Sequence, residues 1–331
     1  MKKHNLWLLG LLLAFVFVTS CKKDDDDPAV NESEVLVNYL ESSDSPLGKD
    51  YVSTDLPSII AASEVKTLNE TGQIYIIDIR SAADFATGHI ANAVNVTLAG
   101  IVDHVKGINM NNYTKVAIVC YSGQTAGWAT SLLRLLGYSK VFSMKWGMCS
   151  WHEDFAARWK NNISNTYASQ FVTTATAKGA ANELPVLSTG KTTGPEIFEA
   201  RVAAMLAEGF TPATITKETV FGNTSNYYIV NYWSEAHYNN PGHIPGAMQY
   251  TPKESLKLST TLKTLPTDKT VVVYCYTGQT SAFLALYLRL LGYDAKSLLY
   301  GANGMIYDLM TTAGLTTWKD TEIMGYDYVT P

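Results

Sequence analysis

The sequence predicts an α/β protein of two tandem domains, each a parallel sheet flanked by helices. Three observations lead there. VAIVCYSGQTAGWATSLLRLLGY at 116–138 and VVVYCYTGQTSAFLALYLRLLGY at 271–293 repeat one another, with Cys120 and Cys275 155 positions apart. A second pair, IYIIDIRSAADFATGHIANAVNV at 74–96 and YYIVNYWSEAHYNNPGHIPGAMQY at 227–250, recurs with His89 and His243 154 positions apart, so whole domains are duplicated rather than one motif. Within each copy, short apolar runs such as IYIID, KVAIVC and TVVVYC alternate with leucine-rich helical segments, the pattern of a parallel sheet covered by helices.

The elements follow in chain order. Residues 1–20 carry Lys2 and Lys3, an apolar stretch from Leu6 to Val18 and then small residues before Cys21. That stretch is shorter than the roughly 20 residues a membrane-spanning helix needs and reads as a secretory signal. VTSC resembles a bacterial lipobox, which implies cleavage before Cys21, lipidation of its thiol and anchoring at the cell envelope. Residues 21–31 are too charged to pack and read as an acidic tether. The first domain is expected over 32–165. A Thr-, Ala- and Gly-rich linker over 166–193 and a second domain over 194–331 follow.

At 331 residues the chain is long enough for two cores. Its net charge of −5 makes nucleic acid an unsuitable partner.

The chemistry sits where VAIV hands over to AGWATSLLRLLG. Cys120 stands between a buried strand and a helix start, where unpaired N–H groups and the positive end of the helix dipole stabilise an anion. A thiol held there is expected to ionise more easily, and the thiolate is the nucleophile. Gly123 and Gly278 let the two loops curl so that their amides point inward, and the same reasoning covers Cys275. A cysteine at a strand end is often only a small core hydrophobe. Two at the same loop position, each before a helix, point to chemistry.

The order of these blocks, two CxxGxTA/S loops each preceded by GHI and followed by LLGY and a Gly–Met ending, resembles tandem rhodanese domains. The resemblance covers nearly everything from about residue 30 onward. It implies sulfur transfer through a cysteine persulfide on Cys120 and Cys275, with neither metal nor other cofactor. The partners it implies are a small-molecule or protein sulfur donor and a thiophilic acceptor. It assigns the cradle to Tyr121, Ser122, Gly123, Gln124, Thr125 and Ala126, and in the second domain to Tyr276, Thr277, Gly278, Gln279, Thr280 and Ser281. Asp78, Arg80, His89 and His243 are expected to support the loops rather than react, with Arg80 paired to Asp84.

The loops contain no arginine or lysine, so a persulfide or another weakly charged donor is expected in place of thiosulfate. The second domain has Asn231 and Trp233 where the first has Asp78 and Arg80, which points to Cys120 as the more active thiol. In the resembling fold the strand VFSM, which leads to Cys149, lies beside the strand of Cys120. The two thiols are then expected within roughly 5–10 Å, strand spacing being about 4.8 Å, with Cys149 a candidate resolving thiol and Ile306 in its place in the second domain. Trp128, Trp146 and Trp151 read as core, and His104 and His152 as surface or packing residues. Two other readings stand beside sulfur transfer. One is a non-catalytic binding or redox-sensing module. The other, a cysteine phosphatase, lacks the arginine six residues after the cysteine, where Ala126 and Ser281 stand.

Overall fold

A computed structural model describes residues 31–330. The expected signal over 1–20, Cys21 and all but the last residue of the expected tether lie outside the described residues. In the first half, α1 (Glu32–Glu41) and α2 (Tyr51–Thr54) lead to β1 (Ile59–Ile60), α3 (Ala62–Glu70), β2 (Ile74–Asp78) and α4 (Ala82–Thr87). Then come β3 (Val94–Asn95), α5 (Ile101–Lys106), β4 (Lys115–Val119), α6 (Gln124–Leu135), β5 (Val141–Met144) and α7 (Ala157–Lys160). The second half begins with α8 (Gly194–Glu208), β6 (Thr214–Ile215), α9 (Lys217–Gly222), β7 (Tyr228–Asn231) and α10 (Glu235–Asn239). It continues through β8 (Met248–Gln249), β9 (Val271–Tyr274), α11 (Gln279–Leu290), β10 (Ala295–Leu298) and α12 (Tyr307–Thr312).

Each half folds into a five-stranded, all-parallel sheet, ordered β1-β5-β4-β2-β3 and β6-β10-β9-β7-β8. Register places Asp78 opposite Val119 and Asn231 opposite Tyr274, so each cysteine follows its strand at the C-terminal edge, beside the acidic position or its substitute. In open α/β sheets that edge is where ligands bind. Among the described residues no helix is long and apolar enough to cross a membrane.

The helices that follow the two cysteine loops pack on each other. A continuous apolar cluster runs from Val116 and Ile118 through Trp128, Leu132 and Leu133 of α6 to Phe283, Leu284 and Tyr287 of α11. Gly127 permits this approach: a Cβ there would stand 3.0 Å from the Gln279 carbonyl oxygen. The Ser131 hydroxyl donates to the Phe283 carbonyl (2.9 Å), and the Tyr51 and Ser131 hydroxyls are 2.6 Å apart.

The boundaries are less separate than 32–165, 166–193 and 194–331 suggest. α1 packs on α8, and the Ser33 hydroxyl donates to the Leu291 carbonyl (2.8 Å). After α7 the chain runs onto the second domain, where Tyr167 stacks on Phe221 and Val172 exchanges backbone hydrogen bonds with His243 (2.9 and 2.8 Å). The end of the chain runs back onto the first domain, where Val329 does the same with His89 (2.9 Å both ways). Each domain thus lays its C-terminal arm over the GHI turn of the other. The linker assignment over 166–172 is thereby corrected, because Tyr167, Phe171 and Val172 are fixed by stacking and pairing rather than left as spacer.

Candidate active site

Cys120 follows β4 and is 2% exposed. Gly123 and Ala126 N–H donate to its Sγ at 3.2 and 3.3 Å. These amides converge because the loop carbonyls are held elsewhere. Met148 N–H donates to the Cys120 carbonyl (2.8 Å) and Cys149 N–H to that of Tyr121 (3.1 Å). The Trp159 indole N–H donates to the Ser122 carbonyl (3.1 Å), and Gly127 N–H and the Ser143 hydroxyl donate to that of Gly123 (2.9 and 3.2 Å). Four carbonyls facing outward leave a concave nest of N–H groups, a receptor for an anion on sulfur. Gly123 adopts φ +87° to cap α6, so Gln124, Thr125 and Ala126 form its first turn. Gly147 (φ +59°) lies so close beneath the loop that a Cβ would stand 2.4 Å from the Cys120 carbonyl oxygen.

The expectation of easy ionisation is overturned for the unloaded site. Burial pushes the Cys120 thiol up, and the amides of Ala126, Ser122 and Gly123 oppose that without reversing it, while Asp78 adds to the rise. Desolvation outweighs the nest because the resting thiol gains from staying neutral.

Cys275 repeats the arrangement with fewer donors. It is 3% exposed, Ser281 N–H donates to its Sγ at 3.4 Å, and the Ser281 hydroxyl oxygen lies 3.7 Å from that sulfur. Ala302 N–H holds the Cys275 carbonyl (3.0 Å), while Asn303 holds that of Tyr276 through its backbone N–H (3.1 Å) and its side-chain amide (2.7 Å). Asn303 therefore occupies the position of Cys149, correcting the assignment of Ile306. The true correspondence runs through Trp146 and Tyr300, both left-handed with φ of 63° and 61°.

The two glutamines lie elsewhere than in the expected cradles. The Gln124 side-chain oxygen accepts from Tyr300 N–H of the second domain (2.8 Å), and its amide donates to the Ser122 hydroxyl (3.1 Å). The Gln279 oxygen accepts from Trp146 N–H of the first domain (3.2 Å), and its amide donates to the Met144 carbonyl (3.4 Å). Both are buried braces between domains. Ser122 and Thr277 are buried in their loops, whereas Thr125 and Thr280 are partly exposed.

The residues expected to support the loops are themselves held by groups outside the cysteine loops. Arg80 Nε and its terminal nitrogen reach Asp78 at 2.7–3.1 Å with both side chains buried, and the terminal nitrogen also donates to the Gly88 carbonyl (2.7 Å). The expected Arg80–Asp84 pair is thereby corrected: Arg80 is satisfied by Asp78, while Asp84 accepts from the hydroxyls of Tyr121 and Ser81. His89 Nδ1 lies 2.9 Å from the Phe85 carbonyl, and buried His243 faces the carbonyls of Tyr238 (2.9 Å) and Thr174 (3.1 Å). In the second domain Asn231 donates to the Tyr274 hydroxyl (2.7 Å), Trp233 stacks on Tyr276, and His237 Nδ1 lies 2.5 Å from the Tyr276 hydroxyl.

Cys149 is fully buried beside Trp146, Trp159 and Trp318, in the turn that follows β5, the strand neighbouring that of Cys120, and both thiols are free. Burial pushes its pKa up to about 12, against opposing contributions from the Trp159 backbone and Arg158.

A cleft of about 350 Å³ opens over the first loop, lined by Arg80, Asp84, Tyr121, Met148, Arg158 and Tyr328 among others. Two of these escaped the sequence reading. Arg158 lies in α7, and its guanidinium carbon stands 3.7 Å from the centre of the Tyr121 ring. Tyr328 arrives on the returning C-terminal arm and donates to Asp154 (2.6 Å). Nothing near the cysteine in sequence signals either residue.

Each half of the described chain is thus a five-stranded parallel sheet with a cysteine at its C-terminal edge and backbone N–H groups turned toward the sulfur. The rhodanese-like domain family model matches residues 61–154 and 223–305, more than half of the chain, and the chain belongs to that family. It is 34% identical over 82 residues to the thiosulfate sulfurtransferase GlpE of Pseudomonas putida, covering 25% of this chain and 73% of that protein. To GlpE of Pseudomonas fluorescens it is 29% identical over 98 residues, covering 30% and 87%. Among solved structures, a rhodanese-related protein from Thermoplasma volcanium is 22% identical over 30% of this chain and 93% of its own, with a TM-score of 0.27.

Proposed function

We propose that the protein is a sulfurtransferase, carrying a sulfane sulfur from a donor to a thiophilic acceptor through a persulfide on Cys120. The observation that carries this is the pair of N–H groups on the Cys120 sulfur, with the four loop carbonyls turned away. Cys120 loses its proton and attacks the outer sulfur of a donor persulfide. The new Sγ–S bond forms as the donor S–S bond breaks, and the donor leaves as a thiolate with the bonding electron pair. An acceptor thiolate then takes the outer sulfur, and Cys120 returns as a thiolate. No net oxidation occurs, and no further cofactor is required.

Gly123 and Ala126 present their N–H groups to that sulfur, and Ser281 presents its own to Cys275. The first domain does most of the work, since its sulfur accepts two amide hydrogen bonds against one at Cys275. Cys149, boxed by tryptophans, takes no step. Turnover measured on Cys120→Ser and Cys275→Ser tests this division: the larger loss belongs to Cys120→Ser, and equal losses contradict it.

The GlpE proteins are named for thiosulfate. For this chain a persulfide donor fits better, because neither loop carries a cation. We propose further that Cys21 is lipidated and that the protein is anchored at the cell envelope, supported by Lys2, Lys3 and the apolar 6–18 stretch. Stable anchoring takes two or more acyl chains. Cys21→Ala is then released from membranes, and its retention there contradicts the anchor.

A further inference from the structure

Four charged side chains line the cleft above Tyr121: Arg80, Asp84, Asp154 and Arg158. Arg80 is neutralised by buried Asp78. Asp154 accepts from the Tyr328 hydroxyl and lies 3.3 Å from His152 Nδ1. Asp84 and Arg158 remain, and neither has an opposite charge within 4.0 Å among the described residues. Both bear on Tyr121, the residue after the reactive cysteine. Asp84 accepts its hydroxyl and the Arg158 guanidinium covers its ring face, so a positive and a negative group stand one tyrosyl ring apart.

We propose that this pair recognises a zwitterionic α-amino-acid persulfide, with its carboxylate on Arg158 and its ammonium on Asp84. The inference rests on the sulfurtransferase reading and narrows its donor. An α-amino acid carries both charges on one carbon, and a guanidinium is the group best shaped to take a carboxylate in two parallel hydrogen bonds. The cleft volume falls at the small end of ordinary ligand sites, about 300–1,000 Å³, which suits a ligand of amino-acid size. Met148, whose N–H fixes the Cys120 carbonyl, forms part of the wall, so a donor seated here directs its sulfur toward the cysteine loop. Thiosulfate satisfies Arg158 but meets the Asp84 carboxylate, whereas a neutral organic persulfide satisfies neither. The second domain has His237 on its tyrosine hydroxyl in place of Asp84 and lacks this charge pair at that position.

The test uses the full chain carrying Cys275→Ser, with kcat/KM measured for four donors: cysteine persulfide, N-acetylcysteine persulfide lacking the ammonium, cysteamine persulfide lacking the carboxylate, and thiosulfate. The expected order places cysteine persulfide first by roughly ten-fold or more, the scale of one hydrogen bond to a charged group. Arg158→Met abolishes the advantage of cysteine persulfide over cysteamine persulfide, and Asp84→Asn abolishes its advantage over the N-acetyl form. A variant that is merely misfolded slows all four donors alike. Equal use of the three persulfides by the unsubstituted site, or thiosulfate as the best donor, overturns the zwitterion site while leaving sulfur transfer intact. Failure of all four donors to load Cys120 overturns both.

Discussion

Replacing Gln279 with leucine tests whether the two domains hold each other's sites in shape. The substitution keeps much of the side-chain volume but removes the acceptor for Trp146 N–H (3.2 Å) and the donor to the Met144 carbonyl (3.4 Å). Trp146 is fully buried. Orphaning its N–H costs about 1–3 kcal/mol, and the second bond contributes a further ~0.5–1.5 kcal/mol. The expected loss of stability is therefore about 2–4 kcal/mol. In urea, with a slope of roughly 2–3 kcal/mol per molar, the unfolding midpoint falls by about 1 M. The damage also reaches function, because Trp146 begins the turn whose Met148 and Cys149 amides hold the Cys120 and Tyr121 carbonyls. Sulfur transfer through Cys120, measured with Cys275→Ser in both proteins, drops although Gln279 lies in the other domain. A midpoint shift below about 0.2 M together with unchanged transfer refutes the cross-domain brace.

Two further outcomes follow from the thiol environments. Burial raises the Cys120 pKa above the ordinary thiol value of 9.0, and only the thiolate attacks, so kcat/KM for sulfur uptake climbs with pH past that value; a profile flat from pH 6 upward contradicts this. Cys149, raised from 9.0 to about 12, favours its neutral form in the fold. Its contribution to stability is full below the ordinary thiol value and is lost as the pH rises through about 12. Iodoacetamide on the native protein at pH 7 accordingly leaves Cys149 unmodified until the chain unfolds, and rapid native labelling there disproves the burial argument.

The duplication, the parallel sheets and the position of both cysteines were legible because they rest on local patterns. An apolar run, a glycine-bearing loop and a leucine-spaced helix state their own geometry. The reciprocal arms were not legible, since 166–172 and 320–330 bury few apolar residues at any regular period and their pairing with His243 and His89 is purely tertiary. The glutamines misled for a related reason. In sequence they stand inside the cysteine motif, yet α6 and α11 pack so closely that a Cβ on Gly123 would fall 2.1 Å from the Gln279 amide nitrogen. Their side chains thus belong to the interface. Arg158 was invisible because its meeting with Tyr121 depends on how the chain turns after Trp146. The same turn, aligned by Gly–Met spacing alone, put Ile306 where the fold puts Asn303. The expected ionisation of Cys120 failed on energetics: the loop supplies the amides, but the depth of burial, which the sequence does not state, decides the sign.

The central claim is that Cys120 carries sulfur. Intact mass measurement after incubation with cysteine persulfide, followed by peptide mapping without reduction, tests it most directly. The expected result is a gain of one sulfur atom on the peptide containing Cys120, lost on adding a thiol acceptor and absent from Cys120→Ser. A Cys120 peptide that never gains sulfur, while the protein remains folded and the donor remains active toward free thiols, contradicts the account.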